Sequence, residues 1–138
     1  MPFPDPTPAR PDRLTPASMT CALPLPLPET RQEQALLLMF RRMAIHGLHD
    51  ARTSLFTLDH FGSGFLRTLH LVRAFLHGLA RHVQAPLKVA PCCTPRMTRH
   101  EGLVISAMAQ ACPVALLELS GPEGYRELVT LAQALQAE

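Results

Sequence analysis

The chain has 138 residues, of which 47% are hydrophobic, with no Trp, one Tyr and a formal net charge of +2 at pH 7. This length is typical of one domain, and a composition rich in Leu and Ala favours helices over sheets. No apolar run approaches the ~18 residues of a membrane span, and the N-terminus lacks the pattern of a secretory signal. We therefore expect a cytoplasmic protein, not a membrane protein or a secreted disulfide scaffold.

Charges of opposite sign are separated along the chain. Residues 31–100 carry ten Arg or Lys against three carboxylates, a net charge of +7, whereas residues 101–138 carry five carboxylates against one Arg, a net charge of −4. Such asymmetry is typical either of ordinary solvated surfaces or of proteins that bind an acidic partner or self-associate. Another protein, or a second copy of this chain, is the partner that we predict.

Proline dominates the start of the chain. Residues 1–28 hold nine of the fourteen prolines, and each proline removes a backbone donor and fixes φ, so no helix can run there. We predict a disordered leader over residues 1–28 and a helical domain over residues 29–138. A docking peptide for a proline-recognising partner is the alternative for the leader, and Met19 is an alternative start to Met1.

Two helices are predicted after the leader. Thr30 and Glu33 have the spacing of a capping box, and the apolar residues that follow form a stripe that leaves Arg41 and Arg42 mostly outside it. Gly47 is a natural stop. Asp50 can cap a second helix, which we expect to end near Gly62.

A longer helix is predicted over residues 65–84, with Ser63 as its cap. Its apolar stripe faces the expected core, and basic residues line the other side at intervals of three or four. This ridge predicts a possible, though disfavoured, nucleic-acid surface. Its members are Arg67, His70, Arg73, His77 and Arg81.

The last third of the chain predicts further helices. Thr98 and Glu101 form a second capping box, which opens a helix that is apolar nearly all round, as expected for a buried central helix. Pro113 can begin a short helical segment, and Ser120 to Glu123 have the spacing of a third capping box. The fold class that we predict is all-α, a single domain of about five helices in an orthogonal or bundle-like arrangement.

Two stretches of this sequence are similar to a known family. The first is residues 41–44, Arg-Arg-Met-Ala, with residues 47–52, Gly-Leu-His-Asp-Ala-Arg, and the second is residues 90–98, Ala-Pro-Cys-Cys-Thr-Pro-Arg-Met-Thr. They resemble an uncharacterised family of small bacterial proteins, a domain of unknown function, over roughly residues 24–112. Members often have a third cysteine where this chain has Thr94. The resemblance implies a bacterial cytoplasmic protein and carries no activity.

The Cys92-Cys93 loop is the candidate site, and metal binding is one chemistry for it. His46 and His49 are three residues apart on a helix, Asp50 follows, and two Cys with two His are an accepted zinc set. Zinc is therefore a possible cofactor. The adjacent cysteines do not match the C-x₂₋₄-C spacing of a zinc finger, which leaves exposed or hydrogen-bonded histidines as the alternative.

Thiol chemistry is the second possibility for this loop. Cys92 and Cys93 precede a helix N-terminus, where the dipole and nearby cations favour thiolate or a bound anion. We therefore expect one of the two thiols to have a pKa below the ~8.5 of free cysteine, unless burial opposes it. The residues of this candidate thiol or anion site are Cys92, Cys93, Arg96, Thr98, Arg99 and His100.

The third possibility is that the loop is structural and that the protein acts by binding another protein. No nucleophile elbow, glycine-rich phosphate loop or Cys-x-x-Cys motif occurs in the sequence, which disfavours the common enzyme classes that depend on them. The function that we predict is a protein-interaction or regulatory module, with a zinc protein and a thiol-based redox sensor or carrier as alternatives.

Overall fold

The structure is a computed structural model that describes residues 25–83, 85–91 and 93–137. This part of the chain contains five α-helices and one short two-stranded sheet. The elements are β1 (Leu25–Pro26), α1 (Arg31–His46), α2 (Ala51–Phe61), a 3-10 turn (Gly62–Gly64), α3 (Phe65–His82), β2 (Arg96–Met97), α4 (Arg99–Gln110) and α5 (Pro113–Gln136). The predicted all-α fold is confirmed.

The ends of α1 and α2 lie where the local signals predict them. The Thr30 hydroxyl accepts a hydrogen bond from the Glu33 amide, and α1 ends at Gly47, whose φ of 103° is one that residues with a side chain rarely adopt. The Asp50 carboxylate accepts from the Thr53 amide and so caps α2. These features depend on neighbours within four residues, which is why the sequence alone predicts them.

One predicted cap is wrong. The residue before α3 is Gly64, within the 3-10 turn, and no side chain caps that helix, so Ser63 does not act as its cap. Ser120 is buried and its hydroxyl donates to the Leu116 carbonyl one turn earlier, and its role as a cap stays a prediction. A break does occur next to it, because Gly121 adopts φ 74° and ψ 178° inside α5.

The core is centred on α5, which packs against both α3 and α4. Phe75, Val104, Met108, Leu116 and Leu128 are all fully buried there. Helix α4 contributes buried residues to this core, as predicted for the central helix, but it also buries a carboxylate. The same core extends to α1, so one continuous hydrophobic cluster holds the helices together.

The end of the predicted leader is attached to the helical domain. Leu25–Pro26 pairs in antiparallel register with Arg96–Met97, and the Leu25 side chain packs against the core and lies over Gly102. The proline sits on a two-residue edge strand, where the missing donor is tolerated. Residues 1–24, which make up the rest of the predicted leader, lie outside the described residues.

None of the helices in the described ranges is by itself long and apolar enough to cross a membrane. Helices α4 and α5 meet the length and composition criteria only as a pair, and they are bent by 97° relative to each other.

Candidate functional site

A fully buried ion pair lies between α1 and α4. The Arg41 guanidinium donates to both carboxylate oxygens of Glu101, from Nε at 2.8 Å and from Nη2 at 3.0 Å. The two side chains are 2% and 0% exposed. The expectation that Arg41 lies mostly outside the apolar stripe is therefore wrong, because its charge is compensated inside the domain by a carboxylate 60 residues away.

Arg41 also holds the loop that carries the cysteines. Its Nη1 donates to the Thr94 carbonyl at 2.9 Å, and its Nη2 donates to the Arg96 carbonyl at 2.7 Å. An arginine presents several N–H donors in one rigid plane. A single guanidinium therefore fixes the position of the loop relative to both α1 and α4.

Glu101 holds the same connection from the other side. Its carboxylate accepts from the Ala90 amide and the Thr98 amide, both at 2.9 Å, and its own amide donates to the Thr98 hydroxyl. The second predicted capping box is thus confirmed. The Thr98 hydroxyl also donates to the Lys88 carbonyl at 2.6 Å, so the segment is tied down before and after the cysteines.

The N-terminus of α4 is occupied by a negatively charged side chain of the protein, the Glu101 carboxylate. A helix N-terminus favours an anion, and the sequence predicts a thiolate or a bound anion for this place. In the structure the Glu101 carboxylate lies there, bonded to the Thr98 amide and to Arg41. The expected lowering of the pKa of a loop thiol stays a prediction.

Cys93 is exposed and lies beside a shallow recess. The turn that carries Cys93 is closed by a hydrogen bond from the Thr94 amide to the Pro91 carbonyl. The recess has a volume of about 360 Å³ and lies between this turn and α1. Its walls are formed by Leu27, Gln34, Leu37, Leu38, Arg41, Cys93, Thr94 and Pro95. Cys92 lies outside the described residues.

The other cations of the predicted thiol site make contacts of their own. Arg99 forms an exposed ion pair with Glu118. His100 accepts the Lys88 amide at Nδ1, at 2.9 Å. Arg96 is exposed, and its backbone carbonyl accepts a hydrogen bond from Arg41. The structure therefore brings these residues to one end of α4, with Arg99 and His100 bonded to neighbours.

No metal-ligand set occurs within the described part of the chain, where three or more His, Cys, Asp or Glu side chains nowhere group suitably. His46 and His49 are exposed at the end of α1 and in the following turn. Asp50 is bonded to Thr53 and Arg42. Zinc binding that involves Cys92 stays a prediction.

Asp50 should contribute to stability in a pH-dependent way. Hydrogen bonds from the Thr53 side chain, and then from the Thr53 amide and Arg42, outweigh burial and lower the pKa of Asp50 below its ordinary 3.8. A carboxylate with a lowered folded pKa stabilises the fold above its unfolded pKa, and this contribution is lost as pH falls through the folded pKa.

We expect Asp50→Asn to make stability less dependent on pH below about 4, near the ordinary pKa of Asp50, while Asn still caps α2. Urea unfolding followed by circular dichroism between pH 2.5 and pH 7 measures this. Identical acid profiles for the variant and the parent protein would contradict it.

The predicted basic ridge of α3 is only partly available to a ligand. Arg73 is half-buried and donates to the Leu48 carbonyl and the Ser54 hydroxyl, while Arg81 pairs with Glu127. Arg67, His70 and His77 are exposed. Nucleic-acid binding by this ridge stays a prediction, although Arg73 and Arg81 already contact other groups of the protein.

The sequence contains a signal for the buried pair that its periodicity alone does not reveal. Glu101 is the one carboxylate within α4 (Arg99–Gln110), a helix that is otherwise apolar on nearly every side. A charge in that position must be capped, paired or neutralised. Arg41 is four residues after the core residue Leu37, on the same face of α1.

A family model matches residues 15–136, which include part of the predicted leader and nearly all of the segment after residue 112. The matched range is wider than residues 24–112, the range of the resemblance. No curated protein matches the chain, and no solved structure matches it. Because the matched range covers most of the chain, including both ends of the buried pair and the cysteine loop, the protein belongs to this family, described as a family of unknown function (DUF6628).

Proposed function

We propose that the protein is a protein-interaction module and that its recognition element is the loop over residues 93–96 together with the adjacent recess. The observation that carries this proposal is the set of hydrogen bonds that Arg41 donates to the loop. A fully buried guanidinium donates to two carbonyls of one exposed loop as well as to its carboxylate partner.

The cost of such an arrangement supports a role for the loop. Removing two charges from water is expensive, and well-packed apolar residues often give equal or greater stability. Buried ion pairs are better explained, in some proteins, by the specific geometry that they impose. Here Arg41 and Glu101 impose a geometry on residues 88–91 and 93–98 in particular, so the position of these residues is the property that the pair secures.

The recess supplies a surface that suits a protein partner. Leu27, Leu37, Leu38 and Pro95 contribute apolar wall, and Gln34 and Thr94 contribute polar groups. Energetically important residues of interfaces are commonly large side chains that enter such recesses, surrounded by a polar rim. The cationic Arg96 is exposed in the same loop, which suits a partner with an acidic rim.

Site-specific photo-crosslinking in the native host tests this proposal. A crosslinking residue in place of Pro95 should give one discrete adduct with another protein, and the same residue at the exposed Gln133 of α5 should not give it. Leu38→Glu should abolish the adduct, because it places a charge in the recess at a half-buried position that the fold can tolerate. An adduct that survives Leu38→Glu unchanged, or that forms equally from position 133, would refute the proposal.

A thiol function of the same loop is the second candidate. The exposure of Cys93 beside the recess favours it, because exposed thiols are accessible to reaction. Cys93→Ser separates the two functions in the same experiment. Loss of the adduct in Cys93→Ser would support the thiol function, whereas an adduct that persists would support recognition by shape and charge.

A further inference from the structure

An apolar groove lies on another part of the molecule, between α1 and α3. Its volume is about 300 Å³, within the lower range of small-molecule sites. Phe40, Met43, Leu76 and Leu79 line it and are themselves buried. The exposed lining residues are Ala44, Gly47, His77 and Ala80. All of these except His77 are small, which leaves the groove open to solvent.

A cation whose contacts are all neutral is hydrogen-bonded to one of the residues that line the groove. Leu48 lines the groove, and its carbonyl accepts from Arg73 Nε at 2.7 Å. The second contact of Arg73 is the Ser54 hydroxyl at 3.1 Å. No carboxylate in the described ranges forms an ion pair with Arg73. Asp50, two residues after Leu48, pairs with Arg42. These contacts use two of the five guanidinium N–H donors.

The groove and the cation together select a class of ligand. Apolar walls bind hydrocarbon, and a half-buried positive charge without an acidic partner attracts an anion more strongly than a fully solvated one does. His77, on the same helix as Arg73, adds a polar group at the rim. The lining residues include no carboxylate, so nothing in the groove wall would favour a cationic ligand.

We infer that this groove binds a small amphiphilic anion, with a short hydrocarbon chain along the apolar walls and a carboxylate at the Arg73 end. The inference is independent of the proposed interaction function, which concerns the loop and the recess lined by Arg41. It rests on the combination of an apolar groove with an adjacent cation that has only neutral partners.

Three probes with the same chain length test the charge preference. Octanoate, octanol and octylamine are titrated into the full chain at pH 7 by isothermal calorimetry, with binding mapped by NMR shifts of the groove residues. Octanoate should bind one molecule per chain about tenfold tighter than octanol, as expected for one charge-assisted contact, and octylamine should bind more weakly than octanol. Equal affinity for all three, or no octanoate binding, would overturn the inference.

Variants separate the two parts of the site. Arg73→Gln keeps an N–H donor without the charge and should reduce the octanoate preference to near unity, whereas Arg73→Lys should retain most of it. Ala80→Phe should fill the groove and block both octanoate and octanol. Ala74→Phe is the matched control, since Ala74 is exposed on α3 but does not line the groove. Binding that persists in Ala80→Phe, or a preference that survives Arg73→Gln, would place the ligand elsewhere and overturn the inference.

Discussion

Replacing Arg41 by Met is expected to lower the free energy of unfolding by about 3–5 kcal/mol, because it leaves the buried Glu101 carboxylate without its cation. The Thr94 and Arg96 carbonyls lose their donors in the same variant. Urea unfolding followed by far-UV circular dichroism measures the loss. For a domain with a typical total stability of about 5–15 kcal/mol, the loss is large enough to leave part of the protein unfolded at 37 °C.

Arg99→Met is the matched control for this prediction. Arg99 also pairs with a glutamate, Glu118, but that arginine side chain is 63% exposed, and exposed pairs contribute about 0–1 kcal/mol. A cost for Arg41→Met as small as that for Arg99→Met would contradict the structure, because it would mean that Arg41 is solvated.

A double variant separates charge from loop anchoring. Arg41→Met combined with Glu101→Leu removes both charges, so the penalty of an unpaired buried carboxylate disappears and part of the stability should return. The recovery should be incomplete, because the Ala90 and Thr98 amides then lose their acceptor. A double-mutant cycle gives the coupling between the two side chains.

The features that the sequence predicts correctly are those fixed by near neighbours. The Thr98 capping box, the Gly47 stop and the Pro113 start each depend on contacts within one helical turn. The burial of Arg41 depends on Glu101, which comes from a different helix. Helical periodicity assigns a charged residue to the outside, and only the tertiary fold shows that a partner compensates its charge.

The pairing of Leu25–Pro26 with a later segment, like the burial of Arg41, depends on the tertiary fold. Proline-rich composition predicts the absence of a helix, which holds for these residues, but it does not reveal that a strand forms with Arg96–Met97 across 70 residues of chain. The sequence indicates the loop after α3 as a candidate site, because this loop carries reactive side chains between two helices. The hydrogen bonds that anchor this loop could not be predicted, since Arg41 and Glu101 look in the sequence like an exposed cation and an ordinary helix cap.

Replacing Gly124 by Ala is expected to destabilise the fold by about 1–3 kcal/mol, the usual cost of overpacking a core, even though Ala favours a helix by up to about 1 kcal/mol over Gly. An added Cβ would lie 2.6 Å from the Cβ atoms of both His82 and Ser120. Those atoms are fixed to their backbones and cannot rotate away. Helix α3 would therefore have to move away from α5 at His82, and α5 itself would have to shift at Ser120, on the other side of the break at Gly121.

The separation should also disturb the polar contact beside it. His82 Nε2 lies 3.2 Å from Glu127 Oε1. Burial alone would raise the pKa of Glu127, but hydrogen bonds from His82 and Arg81 outweigh it and lower that pKa. In Gly124→Ala we expect the pKa of Glu127 to move back toward its ordinary value, which carboxylate NMR titration measures.

Gly102→Ala is the matched control for the steric part of this prediction. Its added Cβ would lie 2.4 Å from Leu25 Cδ1, the end of a flexible side chain on a two-residue strand, which can move away. We expect a cost below about 1 kcal/mol, as for a change that the surroundings can absorb, together with faster hydrogen exchange at Leu25 and Met97. Urea unfolding of both variants decides the matter, because similar costs at the two glycines would show that α3 and α5 are less closely packed at Gly124 than the distances indicate.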